Sequence, residues 1–200
     1  TAKDYAAVSD TVELTVTDTV VPYALTDGSG NIYFDTATGT IVRSDNTVRN
    51  VSIPGAINGV DVTAIAPYVF HDAGAETITA VSIPKSLRKI GSNAFSYCGK
   101  MVSLRFNRLG ELETIGESAF RGCTALTSLA IPACVQTIEN FAFSGCSSME
   151  SLRFASDSRL QSIGESAFIG CDALSGVSLP EGLKTVGRTA FYDCDKMESL

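Results

Sequence analysis

The chain has 200 residues, of which 44% are hydrophobic, and its formal net charge is −7. Its longest apolar runs fall short of 18 residues, so the sequence excludes a membrane-spanning helix. A nucleic-acid-binding protein would carry a basic stripe, which this acidic balance disfavours. Six cysteines and a single histidine offer little material for metal or catalytic chemistry.

Residues 1–47 do not repeat, and we expect them to form a small β cap. The segment Val12–Val21 is rich in Thr and Val and predicts a strand. Ile32–Phe34 and Thr40–Val42 flank a short Gly-containing turn and predict a hairpin. Such a piece would cover the open end of the repeats that follow. For residues 1–21, a remnant of a preceding immunoglobulin-like domain is the alternative.

Residues 48–200 are a tandem repeat, and we call each copy a rung. A phenylalanine behind a small residue returns every 23 or 25 residues, at Phe70, Phe95, Phe120, Phe143, Phe168 and Phe191. Ile or Val lies five residues before each Phe, and a cysteine lies three after it from the second rung onward. Units this short cannot bury an apolar face alone and must stack on their neighbours, so the pattern predicts a solenoid of about six rungs.

After each cysteine comes a stretch in which alternate residues are apolar, as in Leu126, Leu129 and Ile131, which predicts a half-buried strand. From Phe95 onward, the intervals of 25 residues contain strands that end in Arg-Phe, and the intervals of 23 residues contain strands that end in Pro. Residues 112–152 therefore resemble residues 160–200 at an offset of 48, which indicates that the duplicated unit is a pair of rungs. The last rung stops inside a strand at Leu200, so we expect the solenoid to be truncated there.

These rungs resemble the BspA-like, or Treponema-type, branch of the leucine-rich repeat family. The branch pattern LxxIGxxAFxxCxxLxxLxLP is matched by Leu112–Pro132 as LETIGESAFRGCTALTSLAIP and by Leu160–Pro180 as LQSIGESAFIGCDALSGVSLP. The first rung departs from the pattern with Ala66 and Val69 and without a cysteine, as a capping rung would. Glu139 replaces the glycine of the fourth rung, so that glycine position is not expected to need a positive φ.

The resemblance implies an α/β, β-rich leucine-rich-repeat fold. It places the LxxLxL strand on a concave face, a short second strand around LxxIG on the opposite side, and a helical or 3₁₀ turn through AFxxC. It also implies a secreted or cell-surface bacterial protein whose usual role is adhesion.

The remaining candidate sites are weak. Five cysteines share one rung position, where parallel Cβ vectors disfavour disulfides, so we expect buried free thiols. Cys134 lies elsewhere and is expected to be partly exposed, with a reactive or intermolecular role as the alternative. Asp27, Ser29, Asn31 and Asp35 resemble a calcium loop faintly, and an Asp-Gly turn explains them better. His71 is expected to face solvent in a turn, and we predict no catalytic residues, no metal site and no cofactor.

The outward positions of the predicted concave strands are the candidate binding residues. Most are small and neutral, and arginine recurs every second rung; the set is Ser82, Ser103, Arg105, Ser128, Ser151, Arg153 and Ser178. Arginines on the inner face of an acidic protein could hold a carboxylate-rich partner through bidentate contacts. The alternative is that they are solvated residues copied by the duplication.

We therefore predict a non-catalytic adhesion module that binds a host or bacterial surface protein, with extracellular matrix proteins among the candidate ligands. The alternative is a structural spacer that holds another domain away from the cell.

Overall fold

The computed structural model describes residues 19–71 and 76–198. Over these ranges the chain forms sixteen short strands. From residue 64 to residue 163, two-residue strands on one side of the core alternate with four-residue strands on the other side. The strands are β1 Val20–Ala24, β2 Asn31–Asp35, β3 Thr40–Ser44, β4 Asn50–Ser52, β5 Ala56–Ile57, β6 Val60–Asp61, β7 Ala64–Ile65, β8 Ala80–Ile83, β9 Lys89–Ile90, β10 Ser103–Phe106, β11 Thr114–Ile115, β12 Ser128–Ile131, β13 Thr137–Ile138, β14 Ser151–Phe154, β15 Ser162–Ile163 and β16 Thr185–Val186.

One side of the solenoid is a continuous sheet of nine strands in the order β1-β2-β3-β7-β9-β11-β13-β15-β16. From β7 onward the strands are parallel, and each strand up to β15 contributes an Ala, Lys, Thr or Ser to the outer side and an Ile to the core, whereas Val186 of β16 is 45% exposed. Ile90, Ile115, Ile138 and Ile163 are buried. The short second strand around LxxIG is therefore confirmed.

The other side carries the longer parallel strands, in two separate sheets of order β10-β8-β4 and β12-β14. We call the surface formed by the outward side chains of these strands the concave face. Alternate residues such as Leu104, Leu129 and Leu152 point into the core and are buried. The strand that the alternation predicts at residues 174–179, in the last rung, is wrong, because the chain there forms only a single bridge, at Gly176. Gly176 has no side chain to pack, and Pro180 has no N–H to donate.

The turn through AFxxC is stabilised by hydrogen bonds between rungs. Two residues in each of the last five rungs, four positions apart, have a positive φ, as in Asn93 at 56° and Tyr97 at 61°. The left-handed residues turn N–H groups of the backbone toward the next rung. Asn93 therefore donates to the Glu117 carbonyl and Phe95 to the Ala119 carbonyl, both at 2.8 Å. These bonds offset the cost of left-handed residues that are not glycine, about 1 kcal/mol each.

The core is a column of phenylalanine rings. Consecutive rings from Phe70 to Phe191 are stacked nearly parallel, with centroids 4.6 Å apart in the first pair and 5.2–5.3 Å apart in the others. The first five of these rings are fully buried. Each rung therefore buries its apolar face on identical side chains above and below, and the solenoid predicted from the repeat is confirmed.

In the four rungs that have glycine at the LxxIG position, close packing rather than a positive φ accounts for it. Gly91, Gly116, Gly164 and Gly187 all have ordinary φ values. A Cβ on any of them would lie 2.3–2.6 Å from backbone atoms of the preceding rung. At the fourth rung, Glu139 uses its carboxylate to accept the Glu117 N–H at 2.9 Å.

The predicted hairpin is present as β2 and β3, which pair antiparallel, and β3 continues in parallel to β7 of the first rung. Ser44 of β3 is buried and donates its hydroxyl hydrogen to the Val69 carbonyl at 2.9 Å. The predicted strand Val12–Val21 falls mostly outside the described residues, and the described β1 runs from Val20 to Ala24. The N-terminal strands thus extend the nine-stranded sheet past the first rung.

Candidate binding site on the concave face

The pairing registers place the outward side chains of the concave face in two rows. In one row Ser103 lies beside Ala80, and Ser128 lies beside Ser151. In the other row Arg105 lies beside Ser82, and Ala130 lies beside Arg153. The second row therefore presents two arginines on either side of a methyl group, which leaves open space between them.

A seam separates the two sheets of this face, since β10 and β12 are neighbours without a hydrogen-bonded ladder. In the bonded pairs β8·β10 and β12·β14 the residue after the later strand donates one last N–H, as Asn107 does to Ile83 and Ala155 does to Ile131, both at 3.2 Å. Pro132 occupies the equivalent place after β12 and has no N–H to donate. One ladder bond that joins other rungs is thus impossible at this seam.

A cleft of about 700 Å³ lies at the seam, and we call it the seam cleft. Its cationic groups are the exposed side chains of Arg105, Arg108 and Arg153, and Asp157 contributes one carboxylate. Its apolar part includes Phe106, Ile131, Pro132 and Phe154. Phe106 and Phe154 are half-buried, whereas Ile83 and Ile131 at the same strand position are buried. Both Phe side chains pack against the hydrophobic core and also form part of the wall of the cleft.

The arginines of the seam cleft form no ion pair within the described ranges. The ion pairs there join Arg88 Nη2 to Glu111 Oε2 at 2.8 Å and Lys100 Nζ to Glu76 Oε2 at 3.3 Å. Three guanidinium groups at the seam cleft therefore keep their forked N–H groups available for a ligand. Such a fork binds planar carboxylates through two parallel hydrogen bonds.

The predicted binding residues are not all brought together. Arg105 and Arg153 line the seam cleft, and Ser178 lines a neighbouring depression with Phe154. Four serines lie on the concave face away from the cleft lining: Ser82, Ser103, Ser128 and Ser151. Arg108 was missed, because it lies in the loop after β10 and has no arginine counterpart in the next 25-residue rung. Phe106 and Phe154 could have been found from the sequence, because the Arg-Phe pair recurs at the ends of β10 and β14.

His71 is half-buried, which corrects the expectation of a solvent-facing residue. Its Nδ1 lies 2.6 Å from Ser96 Oγ, and its ring lies 5.8 Å from each of the Tyr68 and Tyr97 rings. Rung stacking places the histidine against the next copy of the turn. Ser96 is fully buried, so this pair does not present an accessible nucleophile.

All six cysteines are free thiols, as predicted. Those of the repeated position donate to the Phe carbonyl of the preceding rung, as Cys123 Sγ does to Phe95 O at 3.3 Å. Burial raises the pKa of the Cys98 and Cys146 thiols to about 12 and also raises the pKa of Cys123 and Cys171. Cys134 is half-buried, as expected, and burial raises the pKa of its thiol as well.

The Asp27 segment forms a turn between β1 and β2. The Asp27 carboxylate accepts hydrogen bonds from the Ser29 N–H at 3.0 Å and from the Asn50 N–H at 3.0 Å, so it links the turn to β4. Desolvation acts to raise the pKa of the Asp27 carboxyl, but hydrogen bonds from the Ser29 hydroxyl and from the Ser29 and Asn50 N–H groups outweigh it and lower the pKa. Across residues 19–71 and 76–198, His, Cys, Asp and Glu side chains form no group of three or more that could hold a metal ion. In the same ranges no helix is long and apolar enough to cross a bilayer.

Parallel rungs with a consensus Phe, Ile and Cys define a β-solenoid of the leucine-rich repeat class. The family model for the BspA type leucine rich repeat region matches residues 63–199 in six copies. The chain belongs to the BspA-type leucine-rich repeat family, as the resemblance indicated. No curated protein matches the chain.

Solved structures share this fold. A leucine rich cell surface protein from Faecalibacterium prausnitzii is 25% identical, with 90% of this chain and 55% of that chain covered and a TM-score of 0.56. The T. pallidum leucine rich repeat protein is 23% identical, with 92% and 90% covered and a TM-score of 0.58. The pneumococcal vaccine antigen PcpA is 23% identical, with 86% and 47% covered and a TM-score of 0.67. The chain thus spans about half the length of the first and third of these proteins.

Proposed function

We propose that this chain is a non-catalytic, protein-binding module of a secreted or cell-surface bacterial protein and that it holds its ligand on the concave face. Residues 1–47 would serve as the cap and residues 48–200 as the binding solenoid. The observation that carries the proposal is the seam cleft, where exposed arginines without ion pairs flank an apolar surface. Arginine and aromatic residues are enriched among the side chains that dominate protein interfaces.

The comparisons support this proposal at the level of the class. One of the similar structures is described as a leucine rich cell surface protein and another as a vaccine antigen, and both share the fold of this chain. Extracellular matrix proteins are candidate ligands by resemblance to the family's usual adhesive role. The structural spacer stays a second candidate, and it is favoured by the small neutral residues that fill most of the concave face, Ser82 and Ser128 among them.

A surface-blocking experiment tests the proposal. Ser128→Tyr adds a bulky ring to the exposed centre of the concave face, and Thr185→Tyr adds the same ring to an exposed position of β16 on the opposite face. Binding of each variant to immobilised fibronectin and fibrinogen would be measured by biolayer interferometry, with circular dichroism to check folding. We expect saturable binding by the native protein, a loss of at least about tenfold in affinity for Ser128→Tyr, and little change for Thr185→Tyr.

Absence of binding by the folded native protein to both ligands would favour the spacer. Equal weakening by the two tyrosine variants would also argue against a concave binding face.

A further inference from the structure

We propose that the seam cleft binds an extended acidic segment of a partner protein, in which two carboxylates flank an apolar side chain. This inference rests on the proposed function, since it assumes that the concave face receives a protein. It adds the chemistry of the segment and the place where the segment lies.

The first argument is the contrast of charge. The chain carries a net charge of −7, yet the seam cleft gathers Arg105, Arg108 and Arg153 against the single carboxylate of Asp157. A cationic cleft on an acidic protein selects an anionic ligand by attraction in the cleft and by repulsion from the remaining surface. The two effects together favour a ligand whose negative charges are confined to a short stretch.

The second argument is spacing. Arg105 and Arg153 lie two rungs apart, with the methyl group of Ala130 on the strand between them. Hydrogen-bonded neighbouring strands are about 4.8 Å apart, and β10 and β12 lack such a ladder, so the two arginine backbones are separated by more than about 10 Å. Alternate side chains of an extended chain point to the same side and the chain rises about 3.3 Å per residue, so carboxylates four residues apart lie on one side and span about 13 Å. Each carboxylate could then meet one guanidinium fork.

The third argument is the apolar part of the cleft. Phe106 and Phe154 are half-buried at the ends of β10 and β14, and the buried Ile131 lies on the strand between them. An apolar side chain placed between the two carboxylates would cover these exposed ring surfaces and remove them from water. A sulfated polysaccharide would satisfy the arginines but would leave this surface uncovered, so a peptide fits the cleft better.

The test uses a fluorescein-labelled peptide that carries two glutamates four residues apart with a phenylalanine midway between them. A matched peptide replaces both glutamates by glutamine, and a second replaces the phenylalanine by serine. Fluorescence anisotropy with the whole chain, at low and at physiological ionic strength, reports binding. A heparin oligosaccharide serves as the sulfated competitor.

We expect saturable binding of the acidic peptide that weakens with added salt and is lost with the glutamine peptide. Arg105→Ala and Arg153→Ala should each weaken binding by about threefold and together by about tenfold. Arg105→Lys with Arg153→Lys should fall between, because lysine keeps the charge without the bidentate fork. Arg188→Ala, an exposed arginine on the opposite side, is the control that should change little.

Three outcomes would overturn the inference: no binding of the acidic peptide, binding that survives the double alanine variant, or equal binding of the serine peptide. Preferential binding of the heparin oligosaccharide would overturn it in favour of a sulfated ligand. If Ser128→Tyr blocks fibronectin or fibrinogen while the arginine variants bind them normally, the proposed function stands and the acidic segment is refuted.

Discussion

The buried thiols should make this protein unusually sensitive to alkaline pH. Cys98 and Cys146 are fully buried, and burial raises the pKa of each thiol to about 12. In the unfolded chain the same thiols ionise near pH 8.5. A folded pKa above the unfolded one gives stability that is complete below the unfolded pKa and is lost as pH rises toward the folded pKa.

The size of the effect follows from proton linkage. Between pH 8 and pH 10 each such thiol lowers the free energy of unfolding by about 2 kcal/mol, so the pair accounts for about 4 kcal/mol. Serine does not titrate in this range, and its hydroxyl can donate to the Phe carbonyl that accepts from the thiol. From pH 8 to pH 10, the free energy of unfolding of the Cys98→Ser/Cys146→Ser double variant should therefore fall by about 4 kcal/mol less than that of the native protein. This difference does not depend on the stability of the variant at pH 8.

Urea unfolding followed by circular dichroism, in reducing buffer at several pH values from 7 to 10, measures this difference. Cys134→Ser is the matched control, because its half-buried thiol should contribute a smaller slope. Other titrating groups are common to all three proteins and cancel in the comparison. Parallel pH profiles for the native protein and the double variant would refute the reasoning, since they would mean that the thiols titrate alike in both states.

Three further results are expected. Gly164→Ala should lower the free energy of unfolding by about 1 to 3 kcal/mol, because the added Cβ would lie 2.5 Å from Asn140 N. Gly182→Ala is the control, since a Cβ there has no heavy atom within 4 Å, and it should change the free energy of unfolding by less than about 0.5 kcal/mol. Equal urea midpoints for the two variants would contradict this. Phe120→Leu should cost about 1 to 3 kcal/mol through loss of stacking on two rings at 5.2 Å, and an unchanged melting temperature would count against the ring column. Iodoacetamide should label the half-buried Cys134 before the four fully buried cysteines, as peptide mass spectrometry would show, and uniform labelling would argue against the buried thiol ladder.

Much of the fold could be predicted from the sequence because the same pattern of residues recurs in every rung. One Ile–Gly–Ala–Phe–Cys segment says little, but successive copies in register predict the stack, the buried column and the two strands per rung. The same copying predicted Arg105 and Arg153 as equivalent outward residues of β10 and β14. The strand predicted at residues 174–179 does not form, although its apolar residues follow the pattern, because Gly176 has no side chain to pack and Pro180 has no N–H to donate.

The purpose of individual residues was harder to predict than their periodicity. The LxxIG glycine does not need a positive φ, as its replacement by Glu139 indicated, but only the rung spacing reveals that a Cβ there would meet backbone atoms. The left-handed residues of the turn include Tyr97 and Phe141, which have little propensity for that conformation, as well as Asn93, which tolerates it. Their φ values are imposed by the hydrogen bonds between rungs.

By itself, the sequence determined the period, the residues that point inward, the free thiols and the family, since these depend on local alternation and on repetition. The tertiary structure alone decided where the concave face opens. Pro84 follows β8 as Pro132 follows β12, yet β8 still pairs with β4 over Asn50–Ser52 and only β12 is separated from its preceding neighbour. A missing N–H removes one bond in either place, and whether the strands then part depends on how whole rungs pack, which no single residue encodes.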